Sequence, residues 1–171
     1  MFPLSSTTAD ADDRLDPARG DRWHPGPGKS AGAGWPGGKY PVPVLAAAVL
    51  AAEGVSFLLV GSAALWLHGE PIAVGDADVV VEPGEQNLRR LGDALAWLAL
   101  RPRAVPRVGD FPLLDLVSVL TSYGRVDCLL ERGRVDWVRL RQSSVRIPVA
   151  DASVVVASGA DVWALRRQFK E

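Results

Sequence analysis

From residue 41 onward, apolar positions recur with spacings that alternate between helix and strand periods. The run VLAAAVLAAE is built from strong helix formers and is followed by Gly54, where a glycine closing a helix belongs, so a helix is predicted over roughly 43–53. VSFLLV follows as a strand over 55–60, apolar on both faces and therefore central in a sheet. SAALWLHG reads as a short helix ended by Gly69-Glu70-Pro71, and DADVVVE as the next strand. EQNLRRLGDALAWLAL is an amphipathic helix with Leu88, Leu91, Leu95 and Leu98 along one side. LVSVLTS and RVDCLLE read as paired strands joined by a turn at Tyr123-Gly124, and SVRIPVA as a further strand. Ser158 is placed to cap a last helix containing Trp163 and Leu165. No internal repeat is present. The fold class is α+β or α/β, with a small mixed β-sheet flanked by helices.

Residues 1–40 break this pattern. They hold five prolines and seven glycines, while Phe2, Leu4 and Leu15 alone represent the Leu/Ile/Val/Phe group. Five acidic residues balance five basic ones. Such a segment cannot bury enough apolar surface to offset its ordering entropy, so a disordered Gly/Pro-rich tail over 1–40 is predicted, with a folded domain over 41–171. Trp23 and Trp35 are the exceptions, read either as docking anchors or as tryptophans in a floppy arm.

Composition narrows the function classes. Apolar residues make up 48% of the chain, enough for a core, and 19 Lys+Arg nearly cancel 20 Asp+Glu. That balance argues against a mainly electrostatic nucleic-acid binder. The single cysteine, Cys128, excludes an internal disulfide and Cys-rich zinc patterns, and His24 and His68 are too far apart to suggest a histidine metal site. The apolar stretch 41–67 is split by Glu53-Gly54 and again by Gly61-Ser62, which favours a helix and a buried strand over a membrane span. No basic segment precedes an apolar one at the N-terminus, so the expectation is a soluble, cytoplasmic protein.

Three features carry chemistry. Gly61-Ser62 falls where a buried strand turns into a helix; glycine permits close backbone approach, and free N–H groups and a hydroxyl face an incoming phosphate. The same dipeptide also serves turn geometry and capping alone. Asp76-Ala77-Asp78 opens a buried strand, so its two carboxylates project from one face and repel when ionised. A divalent cation with hard oxygen preferences resolves that conflict; two wet edge aspartates are the bland alternative. Asp127 is an acidic residue in an otherwise core-like strand, where a charge is costly without a partner. It either joins the pair as a third carboxylate or forms a salt bridge with Arg125 or Arg134.

The order of these features, LLVGSAALWLHGEPIAVGDADVVV followed by YGRVDCLL, resembles the nucleotidyltransferase superfamily of the DNA polymerase β type. It looks most like the minimal, AbiEii-like bacterial branch associated with toxin–antitoxin systems, and the resemblance covers roughly residues 43–167. It implies that Gly61 and Ser62 hold nucleotide phosphates and that Asp76, Asp78 and Asp127 bind catalytic Mg²⁺, or Mn²⁺. A lysine common in the family's C-terminal helix is replaced by Arg166 or Arg167, whose fork can also pair with phosphate. PIAVG before the aspartate pair lacks the Arg and Thr or Ser that family members often carry.

The activity implied is Mg²⁺-dependent transfer of a nucleoside monophosphate from an NTP to a hydroxyl on a tRNA, a protein or a small molecule. An antitoxin partner is implied as well, and a helical substrate-binding domain is either absent or supplied by a partner. Two other classes stay open: a degenerate nucleotidyltransferase-fold protein acting as a nucleotide- or partner-binding module, and a toxin whose effect depends on complex formation.

Overall fold

The computed structural model describes residues 38–130 and 135–168. Trp23, Trp35, His24, Arg134 and most of the 1–40 segment lie outside the described residues. The first element is α1 (Val42–Ala52), entered through Pro41 and Pro43, whose fixed φ suits a helix start. It has no polar stripe, and the fold buries Pro43 through Leu50. The helix ends as its sequence predicts: Gly54 adopts φ +75°, and the Val55 N–H returns to the Leu50 carbonyl at 3.1 Å.

Strand β1 (Phe57–Val60) is buried at every position, and α2 (Gly61–Leu67) begins at the very next residue. Strand β2 (Asp76–Val81) and helix α3 (Glu85–Leu98) follow. On α3, Leu91, Leu95 and Leu98 are buried and Leu88 is half-buried, as the spacing predicts. Two short 3-10 turns, Pro102–Ala104 and Val108–Leu113, lead into a hairpin of β3 (Leu116–Thr121) and β4 (Gly124–Leu129). Its turn is fixed by Thr121, whose Oγ1 donates to the Gly124 carbonyl at 2.7 Å and accepts from the Tyr123 N–H at 3.0 Å. Helix α4 (Trp137–Gln142), strands β5 (Val145–Val149) and β6 (Ala152–Val156), and helix α5 (Gly159–Gln168) complete the described chain.

The strands form one mixed six-stranded sheet in the order β3-β4-β2-β1-β6-β5. β1 is interior, as its all-apolar sequence requires. β2 pairs antiparallel with β1 and parallel with β4. One sheet face carries Ala77, Val79, Val81, Val117, Val119, Val126 and Cys128, all buried. Helix α1 packs against β2, β4 and β6, α3 packs against β3, and α2 contacts β1, β2 and α5. The opposite face is open over β3 and β4, where Leu116 and Leu120 are exposed.

Two elements escape the sequence pattern. β6 closes a hairpin with β5 through a turn in which Ala150 takes φ 53°, so the Gly or Asn that flags such turns is missing. α4 is a six-residue helix that buries Leu140 alone, too short for a periodic signal; Asp136 caps it by accepting the Arg139 N–H at 3.0 Å. Among the described residues, no helix is long and apolar enough to cross a membrane.

Asn87 ties α3 to the sheet. Its Oδ1 accepts the Ser56 N–H at 2.8 Å, and its Nδ2 donates to the Ser56 and Glu82 carbonyls at 2.8 and 2.9 Å. Asn87→Ala removes three part-buried hydrogen bonds at once. The expected loss is about 2–3 kcal/mol, read as a melting temperature lower by roughly 8–15 °C. An unchanged melting curve would show that α3 is held by its leucine face alone.

Candidate active site

Sheet register, more than local sequence, assembles the site. Parallel pairing sets Asp76 opposite Arg125, Asp78 opposite Asp127 and Val80 opposite Leu129. Because side chains alternate across a strand, Asp76, Asp78, Arg125 and Asp127 share the open face of the sheet. Carboxylate oxygens of Asp76, Asp78 and Asp127 all lie within 4.8 Å of one another. An all-oxygen, anionic donor set of this kind fits a hard divalent cation.

The electrostatics reflect that crowding. Burial first, then the neighbouring Asp76 and Asp127 charges, raise the Asp78 pKa from 3.8 to about 6, against the opposing pull of Arg125 and Arg166. Asp76 and Asp127 are held by side chains instead. Arg125 Nη2 reaches Asp76 Oδ2 at 2.5 Å, and its Nε lies 3.3 Å from Asp127 Oδ2. Ser118, on the neighbouring β3, donates its hydroxyl to Asp127 Oδ1 at 2.5 Å. The two sequence readings of Asp127, third carboxylate or salt-bridge partner of Arg125, therefore hold together in one structure.

The strand-to-helix turn borders the same cleft. Gly61 adopts φ +68°, a conformation that L side chains rarely take, and a Cβ there would overlap the Asp78 carboxylate. Glycine is thus demanded twice, by backbone angle and by the approach of Asp78. The cleft has a volume of about 380 Å³; Gly61, Ser62, Asp76, Asp78, Asp127 and Arg166 are among its lining residues. Arg167 is exposed and is not among them, so α5 offers the cleft one of the two predicted arginines. Arg166 lies over the Trp163 ring, 5.5 Å from its centroid.

α5 is itself anchored by Asp161. Its carboxylate accepts from Ser143, from Ser158 at 2.7 Å and from Arg139 at 2.7 Å, and Ser158 caps the helix by accepting the Asp161 N–H at 3.2 Å. Burial would raise the Asp161 pKa, but these hydrogen bonds outweigh it and hold the group below the usual carboxylate range. His68 binds the Ala157 carbonyl at 2.7 Å through Nε2, a structural contact. Cys128 is fully buried, and burial pushes its thiol pKa up, which makes it unreactive.

Sequence reasoning missed Ser118 and the double pairing of Arg125. A serine in an edge strand carries no signal of its own; only the β3–β4 register, with Ser118 opposite Asp127, reveals it.

No protein-family model matches the chain, and no curated protein matches it in sequence. Among solved structures, the crystal structure of a putative nucleotidyltransferase from Thermotoga maritima aligns with a TM-score of 0.53 at 17% identity. The alignment covers 74% of this chain and 81% of that one. At that identity the likeness establishes the fold: a mixed sheet flanked by helices, of the kind seen in that nucleotidyltransferase-like structure, here carrying a cluster of three carboxylates on its open face.

The raised pKa of Asp78 has a definite sign in stability. The folded protein retains a proton there that the unfolded chain has lost between pH 3.8 and about 6. Stability from this group is therefore complete below the unfolded pKa and is lost as pH rises through the folded one. Metal-free Asp78→Asn is expected to exceed wild type by about 1–2 kcal/mol near pH 8, after discounting for solvent screening. The gap should close as the pH falls through about 6 towards 4. Urea denaturation in the presence of a chelator measures it; a gap independent of pH would show that Asp78 ionises freely.

Proposed function

We propose that the protein is a divalent-cation-dependent nucleotidyltransferase that moves a nucleoside monophosphate from an NTP to a hydroxyl acceptor. The observation that carries this reading is the register of β2 on β4, which brings Asp76, Asp78 and Asp127 to a cleft that Gly61-Ser62 also lines. The fold likeness to a nucleotidyltransferase-like structure supports it.

In this proposal Asp76, Asp78 and Asp127 hold Mg²⁺ or Mn²⁺. Such an ion, when bound, supplies positive charge against the triphosphate and the oxygens that develop charge during displacement. The chain's own residues do the rest. The Gly61-Ser62 turn lets phosphate approach the backbone, and the Ser62 hydroxyl donates to a phosphate oxygen. α2 has only seven residues, so the hydroxyl and the turn, rather than a long helix dipole, carry that contact. Arg166, held over Trp163, pairs with phosphate from the α5 wall.

Asp127 accepts the proton of the acceptor hydroxyl as its oxygen attacks the α-phosphorus. The new O–P bond forms as the bond from that phosphorus to the β-phosphate oxygen breaks, and pyrophosphate leaves. The toxin role and the antitoxin partner rest on the sequence resemblance alone.

The test combines metal response with transfer. Mg²⁺ or Mn²⁺ at about a hundred times its dissociation constant should stabilise wild type by about 2.7 kcal/mol. Asp76→Asn should abolish most of that response and reduce transfer from labelled NTP into cell-extract acceptors at least roughly a hundredfold. Ser62→Ala should keep the metal response and lose nucleotide-dependent stabilisation. Identical responses from wild type and Asp76→Asn would turn the assignment towards a nucleotide- or partner-binding module without catalysis.

A further inference from the structure

We propose that Arg125 is the built-in counter-cation of the carboxylate cluster, occupying in the metal-free protein the place between Asp76 and Asp127 that a divalent ion must take. Cation entry then proceeds by exchange with the guanidinium. The inference rests on the metal-site reading above and adds a residue that the reading did not assign.

The oxygens are allocated one by one. Ser118 engages Asp127 Oδ1 at 2.5 Å, which leaves Oδ2 as the oxygen of Asp127 facing a cation. Arg125 Nε lies 3.3 Å from that Oδ2, and Nη2 of the same guanidinium lies 2.5 Å from Asp76 Oδ2. One planar group thus bridges two of the three carboxylates, a geometry that suits its fork of donors and that lysine cannot reproduce. The third carboxylate, Asp78, accepts no hydrogen bond from the described residues and lies within 4.8 Å of the other two.

A guanidinium and a divalent ion cannot share these oxygens at close range without strong mutual repulsion. The arginine is free to withdraw. Its side chain is 55% exposed, while those of Asp76 and Asp127 are 24% and 16% exposed, so its departure uncovers the carboxylates. Arg125 stands on β4 two residues before Asp127 and opposite Asp76, so the exchange needs a side-chain rotation and no backbone shift.

The decisive comparison is direct Mn²⁺ binding, counted from the paramagnetic signal of free Mn²⁺, on the full chain as wild type, Arg125→Gln and Arg125→Lys. Melting temperature is measured on each in a chelator and in Mn²⁺. Arg125→Gln should bind Mn²⁺ roughly three- to tenfold more tightly, a modest factor because exposed ion pairs are individually weak. It should also melt below wild type in chelator, since three carboxylates lose their counter-charge. Arg125→Lys should fall between the two in both measurements. That pairing of opposite signs, less stable without metal yet tighter with it, is what a purely structural arginine would not give.

Equal or weaker Mn²⁺ binding by Arg125→Gln overturns the exchange and leaves the metal site standing. Absence of Mn²⁺ binding by both wild type and Arg125→Gln overturns the metal site itself, and this inference with it.

Discussion

The molecule depends on the parallel pairing of β2 with β4 and on the like-charge contact that pairing creates. Setting Asp78 opposite Asp127 in the interior of a sheet places negative charge where neither strand can move away. Hydrogen bonding along both strands and burial of Ala77, Val79, Val126 and Cys128 on the reverse face hold the register against that repulsion. The sheet is therefore asymmetric in its energetics. One face supplies cohesion, and the other stores an electrostatic conflict at a defined point.

The surrounding residues are arranged around that conflict. Ser118 and Arg125 come from the same hairpin as Asp127, so part of the compensation is local in sequence. Gly61 approaches from the other side, where its missing side chain leaves room for the Asp78 carboxylate. Arg166 contributes its charge from α5, whose position is set by the buried Asp161 and its three side-chain donors. These groups originate from α2, β2, β3, β4 and α5, and a chain lacking any one of those elements would leave the cleft incomplete.

Much of this was legible in the linear chain because its signals are local. Alanine and leucine content with Gly54 marks α1, leucine spacing marks α3, and Ser158 marks the start of α5. The aspartates stand out because carboxylates are rare in runs of valine and leucine. What the sequence hides is non-local. β6 pairs with β1 through a register near Leu59 and Val156, which nothing in either segment announces, and the β5–β6 turn uses Ala150 at a positive φ without a Gly or Asn to flag it. Arg125 read alone is an ordinary strand-edge arginine. Its bridge from Asp127 to Asp76 exists only once β2 and β4 lie side by side.

The absence of any connecting residue between β1 and α2 divides the cleft into two unequal walls. Val60 is the last residue of a fully buried strand and Gly61 the first of a helix, so the turn that borders the cleft has no loop of its own and inherits the rigidity of the core. Amide protons of β1, which leads directly into the turn, lie in the most cohesive part of the molecule and should exchange with solvent only when the whole domain opens. The facing wall is one helix, α5, seated by Val162 and Leu165 and pinned at its first turn. Any change in the width of the cleft thus falls to α5, while the turn serves as a fixed reference surface.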